Sequence, residues 1–174
     1  VAIGRNALSA ITTVGSMTAI GAAALGVNAG GYGSTAVGSA CLDANTSGNN
    51  NTAVGQNALG ANTTASDNVA VGTAAGDAIT TGSQNVSIGS GALTASGSGT
   101  TPSIGIGYNA LAGATSGTNN IAIGAWTMDA VVTGVSNVAL GNSALTAVTS
   151  GGSNTAIGQS AGDALVDGSN NTII

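Results

Sequence analysis

The chain has 174 residues and a formal charge of −5, carried by six aspartates against a single cation, Arg5, and it contains no His. Neither Lys nor Glu occurs, so general acid–base chemistry and clustered metal ligands have almost nothing to draw on, and the composition points away from an enzyme or a cofactor site. One cation cannot neutralise a run of phosphates, so neither nucleic acid nor an anionic membrane is an expected partner, and no apolar run approaches the length of a membrane span.

In chain order, the first predicted element is a short strand at Val1-Ala2-Ile3, closed by Gly4. The same four-residue unit, usually Thr or Val, then Ala, then Ile or Val, then Gly, recurs with its glycine at Gly4, Gly21, Gly38, Gly55, Gly72, Gly89, Gly107, Gly124, Gly141 and Gly158. The step between glycines is constant, a 17-residue period, except that Gly89 to Gly107 is longer by one. The extra residue falls within Ser96–Ser103, which holds Pro102, the one proline, and is expected to form a loop insertion between the sixth and seventh coils. The chain opens inside the strand motif and ends at Thr172-Ile173-Ile174, where an eleventh glycine is due. It is expected to be a single repeat domain, 1–174, cut from a longer fibre protein.

Other columns keep the period. Three places after the glycine stand Ala7, Ala24, Cys41, Ala58, Ala75, Ala92, Ala110, Thr127, Ala144 and Ala161. The next place is Leu or Met, with Gly76 and Gly162 as exceptions. The place before each strand is Asn in seven coils: Asn51, Asn68, Asn85, Asn120, Asn137, Asn154 and Asn171. Between the Leu and Asn columns lies a loop rich in Thr, Ser and Gly, so turn and strand chemistry alternate in each unit.

Fixed glycines and β-branched residues oppose a helix. The expected fold is all-β: a parallel β-solenoid of ten 17-residue coils, like columns stacked about 4.8 Å apart in a rod of roughly 48 Å. The Val-Ala-Ile segment gives one strand, its first and third residues on one face and its Ala on the other, and the Ala-Leu segment is expected to begin a second strand. The repeat glycine is expected to hold a backbone shape that a Cβ would forbid, and the Asn column to bond amide to amide along the axis. Three or four aliphatic side chains per coil are too few to offset the entropy lost in ordering that coil, so ladder bonds, tight Ala packing and burial against other copies are expected to contribute.

The units Thr52-Ala53-Val54-Gly55-Gln56-Asn57-Ala58-Leu59 and Thr155-Ala156-Ile157-Gly158-Gln159-Ser160-Ala161-Gly162, with their Asn-rich lead-ins, resemble two related repeat families. One is the N-T-A-[IV]-G-x-x-A repeat of bacteriophage tail-fibre proteins and similar bacterial surface proteins. The other is the head repeat of trimeric autotransporter adhesins. The resemblance implies a homotrimer of left-handed parallel β-rolls, extracellular on a virion or bacterial surface, that reaches or holds a host receptor or glycan. The 17-residue period leans toward the tail-fibre type.

Four aspartates, Asp43, Asp77, Asp129 and Asp163, share the column after Leu, but never in adjacent coils, and Asx-type turn bonding is their plain reading over a calcium ladder. Tyr108 and Trp126 occupy neighbouring outward columns of the seventh and eighth coils and are the candidate surface ligand contact, weighed against incidental or trimer-contact aromatics. Cys41 reads as a small buried hydrophobe. Hexapeptide acyltransferase solenoids share an Ile-Gly-x-x-Ala string but depend on His and place three units in each coil, so that reading fails. A structural or adhesive fibre segment is the first functional reading. The alternative is an ice-binding solenoid using Thr12, Thr46, Thr63, Thr80, Thr115 and Thr149, a column interrupted at Ala29, Gly97, Val132 and Val166.

Overall fold

In the computed structural model, which describes residues 1–12, 15–95, 102–130 and 132–174, eleven short strands follow one another. They are β1 (Ala2–Ile3), β2 (Thr18–Ile20), β3 (Thr35–Val37), β4 (Thr52–Val54), β5 (Val69–Val71), β6 (Val86–Ile88), β7 (Ile104–Ile106), β8 (Ile121–Ile123), β9 (Val138–Leu140), β10 (Thr155–Ile157) and β11 (Thr172–Ile173). All pair in parallel in one sheet whose order is the chain order, which makes the chain a β-solenoid of about ten turns. Among the described residues there is no helix.

Like residues pair with like. Thr18 lies beside Thr35 and Thr35 beside Thr52, while Ala19, Ala36, Ala53 and Ala70 form the next file. Paired positions are one sequence period apart throughout, except between β6 and β7, where Val86 meets Ile104 one residue later than the period would place its partner. Of the expected insertion at Ser96–Ser103, residues 96–101 lie outside the described residues, and Ser103 is back in register. A one-residue slip would drive β-branched side chains into a space that holds only a methyl group, so the alternation itself pins the register.

The interior is thin and made of small parts. The middle residue of β2 to β5 and β8 to β10 is a fully buried alanine, facing the buried column of Ala24, Cys41, Ala58, Ala75, Ala110 and Ala144 and the leucines Leu25, Leu42, Leu59, Leu93, Leu111 and Leu145. Where a coil lacks its leucine, the residue three places further along supplies the bulk. Gly76 is followed by buried Ile79 and Gly162 by Leu165, and a Cβ on Gly76 would lie 3.0 Å from the Ile79 Cδ1 and 3.1 Å from the Leu59 Cδ2. The two glycine exceptions therefore relocate core volume rather than omit it.

The expected second strand is absent. The Ala-Leu segment is a turn, because the residue before the Ala and the Leu itself both take left-handed backbone, as in Ala40 (φ 53°) and Leu42 (φ 52°), or Asn57 (φ 58°) and Leu59 (φ 51°). Such dihedrals curl the chain back toward the axis and cannot form an extended strand. The segment still pairs from turn to turn: the Leu25 amide donates to the Cys41 carbonyl at 3.0 Å, and the Leu42 amide to the Ala58 carbonyl at 3.1 Å. The coil-to-coil ladder thus runs through the turns as well as the sheet, which holds residues in a conformation that side chains otherwise disfavour.

The repeat glycine behaves as expected. At Gly55 φ is 134°, and a Cβ there would run into the carbonyl of Gly72 in the next turn. The asparagine column forms the expected ladder inside the rod. The Asn68 Nδ2 donates to the Asn51 Oδ1 at 3.2 Å and to the Gly82 carbonyl at 3.0 Å, while its own Oδ1 accepts from the Asn85 backbone amide at 2.9 Å and side-chain amide at 3.1 Å. The same pattern joins Asn120, Asn137, Asn154 and Asn171. Ser103 bridges the two runs, accepting from the Asn120 amide at 3.4 Å and donating its own amide to Asn85. Buried amides paired in this way satisfy one another at every rung.

Candidate functional site

The first and third residues of every strand point away from the core. The third place carries Ile20, Val37, Val54, Val71, Ile88, Ile106, Ile123, Leu140 and Ile157; Val37 and Ile106 are half-buried, and the others are exposed, from Val54 at 36% to Leu140 at 44%. The result is a strip of largely β-branched surface the length of the rod. No charged residue lies in any of the eleven strands; Arg5 and the six aspartates all sit between them. Isolated exposed hydrophobes are ordinary, but a continuous neutral file of them is the kind of surface that meets another surface.

The two edges of the strip differ. At the edge where the strands end, Tyr108 and Trp126 come together as expected from their columns, with ring centroids 5.3 Å apart and planes at 78°. Edge-to-face geometry suits the opposed charge on ring rim and ring face. The Trp126 amide also donates to the Tyr108 carbonyl at 2.9 Å, so the stacking of adjacent turns sets the pair. Both rings are about half exposed, at 51% and 45%. Trp126 is itself left-handed (φ 52°), in a column otherwise held by Ala, Asn, Ser and Gly.

At the opposite edge, where the strands begin, a hollow of about 280 Å³ is lined by Gln84, Val86, Pro102, Ile104, Asn119, Asn120 and Ile121. It lies at β6 to β8, where the register lengthens by one residue. In the column of Gln84 and Asn119, left-handed residues recur (φ 65° and 59°), and proline cannot adopt that conformation. The sequence reading locates the insertion but not the hollow beside it. Proline in a column of left-handed residues is the signal that could have found it.

The remaining sequence candidates resolve into structural roles. Partial burial raises the pKa of Asp43 and Asp77 above the usual carboxylate value, offset in part by the nearby backbone amides of the same and the following residue. Burial likewise raises Asp129, offset in part by its own backbone amide. Among the described residues no group of three His, Cys, Asp or Glu side chains is placed to hold a metal ion. Cys41 is fully buried and its thiol is pushed up to about 11, chiefly by desolvation, as suits a packing residue.

In the threonine column, Thr46 donates its hydroxyl to the Thr63 carbonyl at 2.9 Å, Thr63 to Thr80 at 3.1 Å and Thr149 to Val166 at 3.3 Å, and Thr12 bonds the carbonyl of Ala29. Those hydroxyls are engaged in holding turn to turn. Gly97, one of the column's gaps, lies outside the described residues.

Sequence reading missed a second buried amide ladder. Asn28 and Asn45 each bind the turn three residues ahead, and the Asn45 Nδ2 donates to the Asn28 Oδ1 at 3.0 Å. Asn62 continues the column fully buried but finds no partner for either amide atom. No helix among the described residues is long and apolar enough to cross a membrane. Compared with known proteins, the chain matches no family model, no curated protein and no solved structure.

Proposed function

We infer that the chain is a structural or adhesive fibre segment, a shaft or head of the kind used by phage tail fibres and bacterial surface adhesins, and not an enzyme. In this reading it is a left-handed β-roll of ten 17-residue coils that works outside the cell, as a homotrimer, spacing or presenting contacts to a host surface receptor or glycan. The observation that carries it is the uncharged, largely β-branched strip running the whole length of the rod. Such a strip has no role in the chain's own core. Against other copies it would bury the second apolar face that the thin interior lacks. The trimer, the turn sense and the extracellular setting come from the repeat resemblance.

Engaged threonine hydroxyls give the ice-binding alternative no specific support. Light scattering across a concentration series tests the assembly. The reading expects a mass three times that of the 16.0 kDa chain, collapsing to one chain when Ile123→Glu places a charge in the strip. A wild-type chain that stays monomeric at about 100 μM, far above the dissociation constants of stable assemblies, overturns it.

A further inference from the structure

Three features of the strip coincide at one height. Along its first column, which opens with Val1, threonine stands at Thr18, Thr35, Thr52, Thr155 and Thr172, whereas the middle turns carry Val69, Val86, Ile104, Ile121 and Val138. In the turns of β7 and β8 both columns are isoleucine: Ile104, Ile106, Ile121 and Ile123. The Tyr108–Trp126 pair borders this patch on the edge where strands end, and the hollow borders it on the edge where they begin. An apolar centre with a Trp and a Tyr beside it, grading into hydroxyl-bearing flanks, has the anatomy of a protein interface.

The strip is about 50 Å long by strand spacing. Among its side chains Val69, Val71, Ile88, Ile123, Leu140 and Ile157 are each more than a third exposed, apolar surface of the kind that a standard interface, at ~800 Å² per partner, would cover.

Height decides which copy fits. A rotation axis parallel to the rod leaves every turn at its own level and sets the strand-end edge of one copy against the strand-start edge of the next, so that pair and hollow meet. A two-fold axis across the rod inverts the levels. It also sets like edge against like, so the aromatic pair would meet the strand-end edge of the other copy and not the hollow.

We propose that the Tyr108–Trp126 edge of one copy docks into the hollow formed by Val86, Pro102, Ile104 and Ile121 of the next, so that the copies close head-to-tail into a parallel ring. The exposed, left-handed Trp126 fits this role, since a bulky ring in that column contributes nothing to the core of its own chain. The proposal rests on the self-association inferred above and names the contact that makes it.

The test uses the 174-residue chain with buried Cys41 replaced by Ala, so that introduced thiols are the only ones. Tyr108→Cys and Ile104→Cys are made as separate variants and oxidised alone and as an equal mixture. Disulfide dimers are expected in the mixture and not from either variant alone, because the contact joins unlike positions. Trp126→Ala, with unchanged circular dichroism, should weaken association by roughly 30-fold, as loss of an aromatic anchor seated in a partner's pocket does.

Association that survives Trp126→Ala unchanged, or disulfides that join like position to like, overturns the docking while leaving the fibre reading intact. A monomeric wild-type chain removes both. Quenching of Trp126 fluorescence by methyl glucoside with no change in mass would make the pair a saccharide platform and also overturn the docking.

Discussion

Single residues show where the stacking is satisfied and where it is not. Asn62 is fully buried with both amide atoms unpaired, one rung beyond the ladder that serves Asn28 and Asn45. The ninth coil places Val148 at the same position beneath Leu145 and buries both. Asn62→Val should therefore stabilise the chain by about 1–3 kcal/mol, the cost of leaving a buried polar group unmet. Denaturant melts check it, and a lower midpoint would show that the amide has a role in the fold.

Glycines make a sharper comparison. Gly55 and Gly158 share a left-handed backbone, but a Cβ at Gly55 meets the carbonyl of the next turn, while at Gly158 the nearest atom is the Ala161 Cβ at 3.9 Å. Gly158→Ala should cost about 1–3 kcal/mol through backbone strain alone. Gly55→Ala should cost distinctly more in the same melt, and equal losses would mean that the turns are not closely stacked.

Elements reveal what the sequence could and could not specify. The strand unit was legible because its period-two alternation and its 17-residue recurrence reinforce each other, and each strand of Thr-Ala-Val type lies where the pattern placed it. The second strand was misread because stacked Ala and Leu look like strand residues when only hydropathy is weighed. The contrary signal was present. Gly76 and Gly162 interrupt the leucine column at left-handed positions, with φ of 61° and 65°, and Asn6, Asn57, Asn109 and Gly91 mark the column two places earlier.

Glycine exchanging with leucine at one place announces a backbone that leucine tolerates only under constraint. The same exchange makes a test of core volume. Gly76→Leu should destabilise by about 1–3 kcal/mol through overpacking against Ile79 and Leu59, and Ile79→Ala in the same chain should recover much of that loss. Simple additivity of the two changes would show that the two positions do not share one space.

At the scale of the whole molecule, the solenoid was fully implied by the repeat, whereas the functional surface was only half implied. The columns of Tyr108 and Trp126 predicted that the two would be neighbours, and they are. The hollow across the strip depends on how one extra residue and Pro102 are absorbed between β6 and β7, which is a matter of three-dimensional closure and leaves no periodic trace. Strip, aromatic edge and hollow all presuppose that equivalent residues sit directly above one another, turn upon turn. If that stacking failed, the apolar residues would not form a face at all.

The most direct measurement is a distance along the axis. Nitroxide labels are placed on cysteines at the exposed Gln56 and Gln159, six turns apart, in a Cys41→Ala chain diluted with unlabelled protein. They should give one narrow electron–electron dipolar distance of about 29 Å, which is six parallel-strand spacings. A broad distribution, or a mean beyond about 40 Å, is incompatible with turns spaced as neighbouring strands and would contradict the stacked rod.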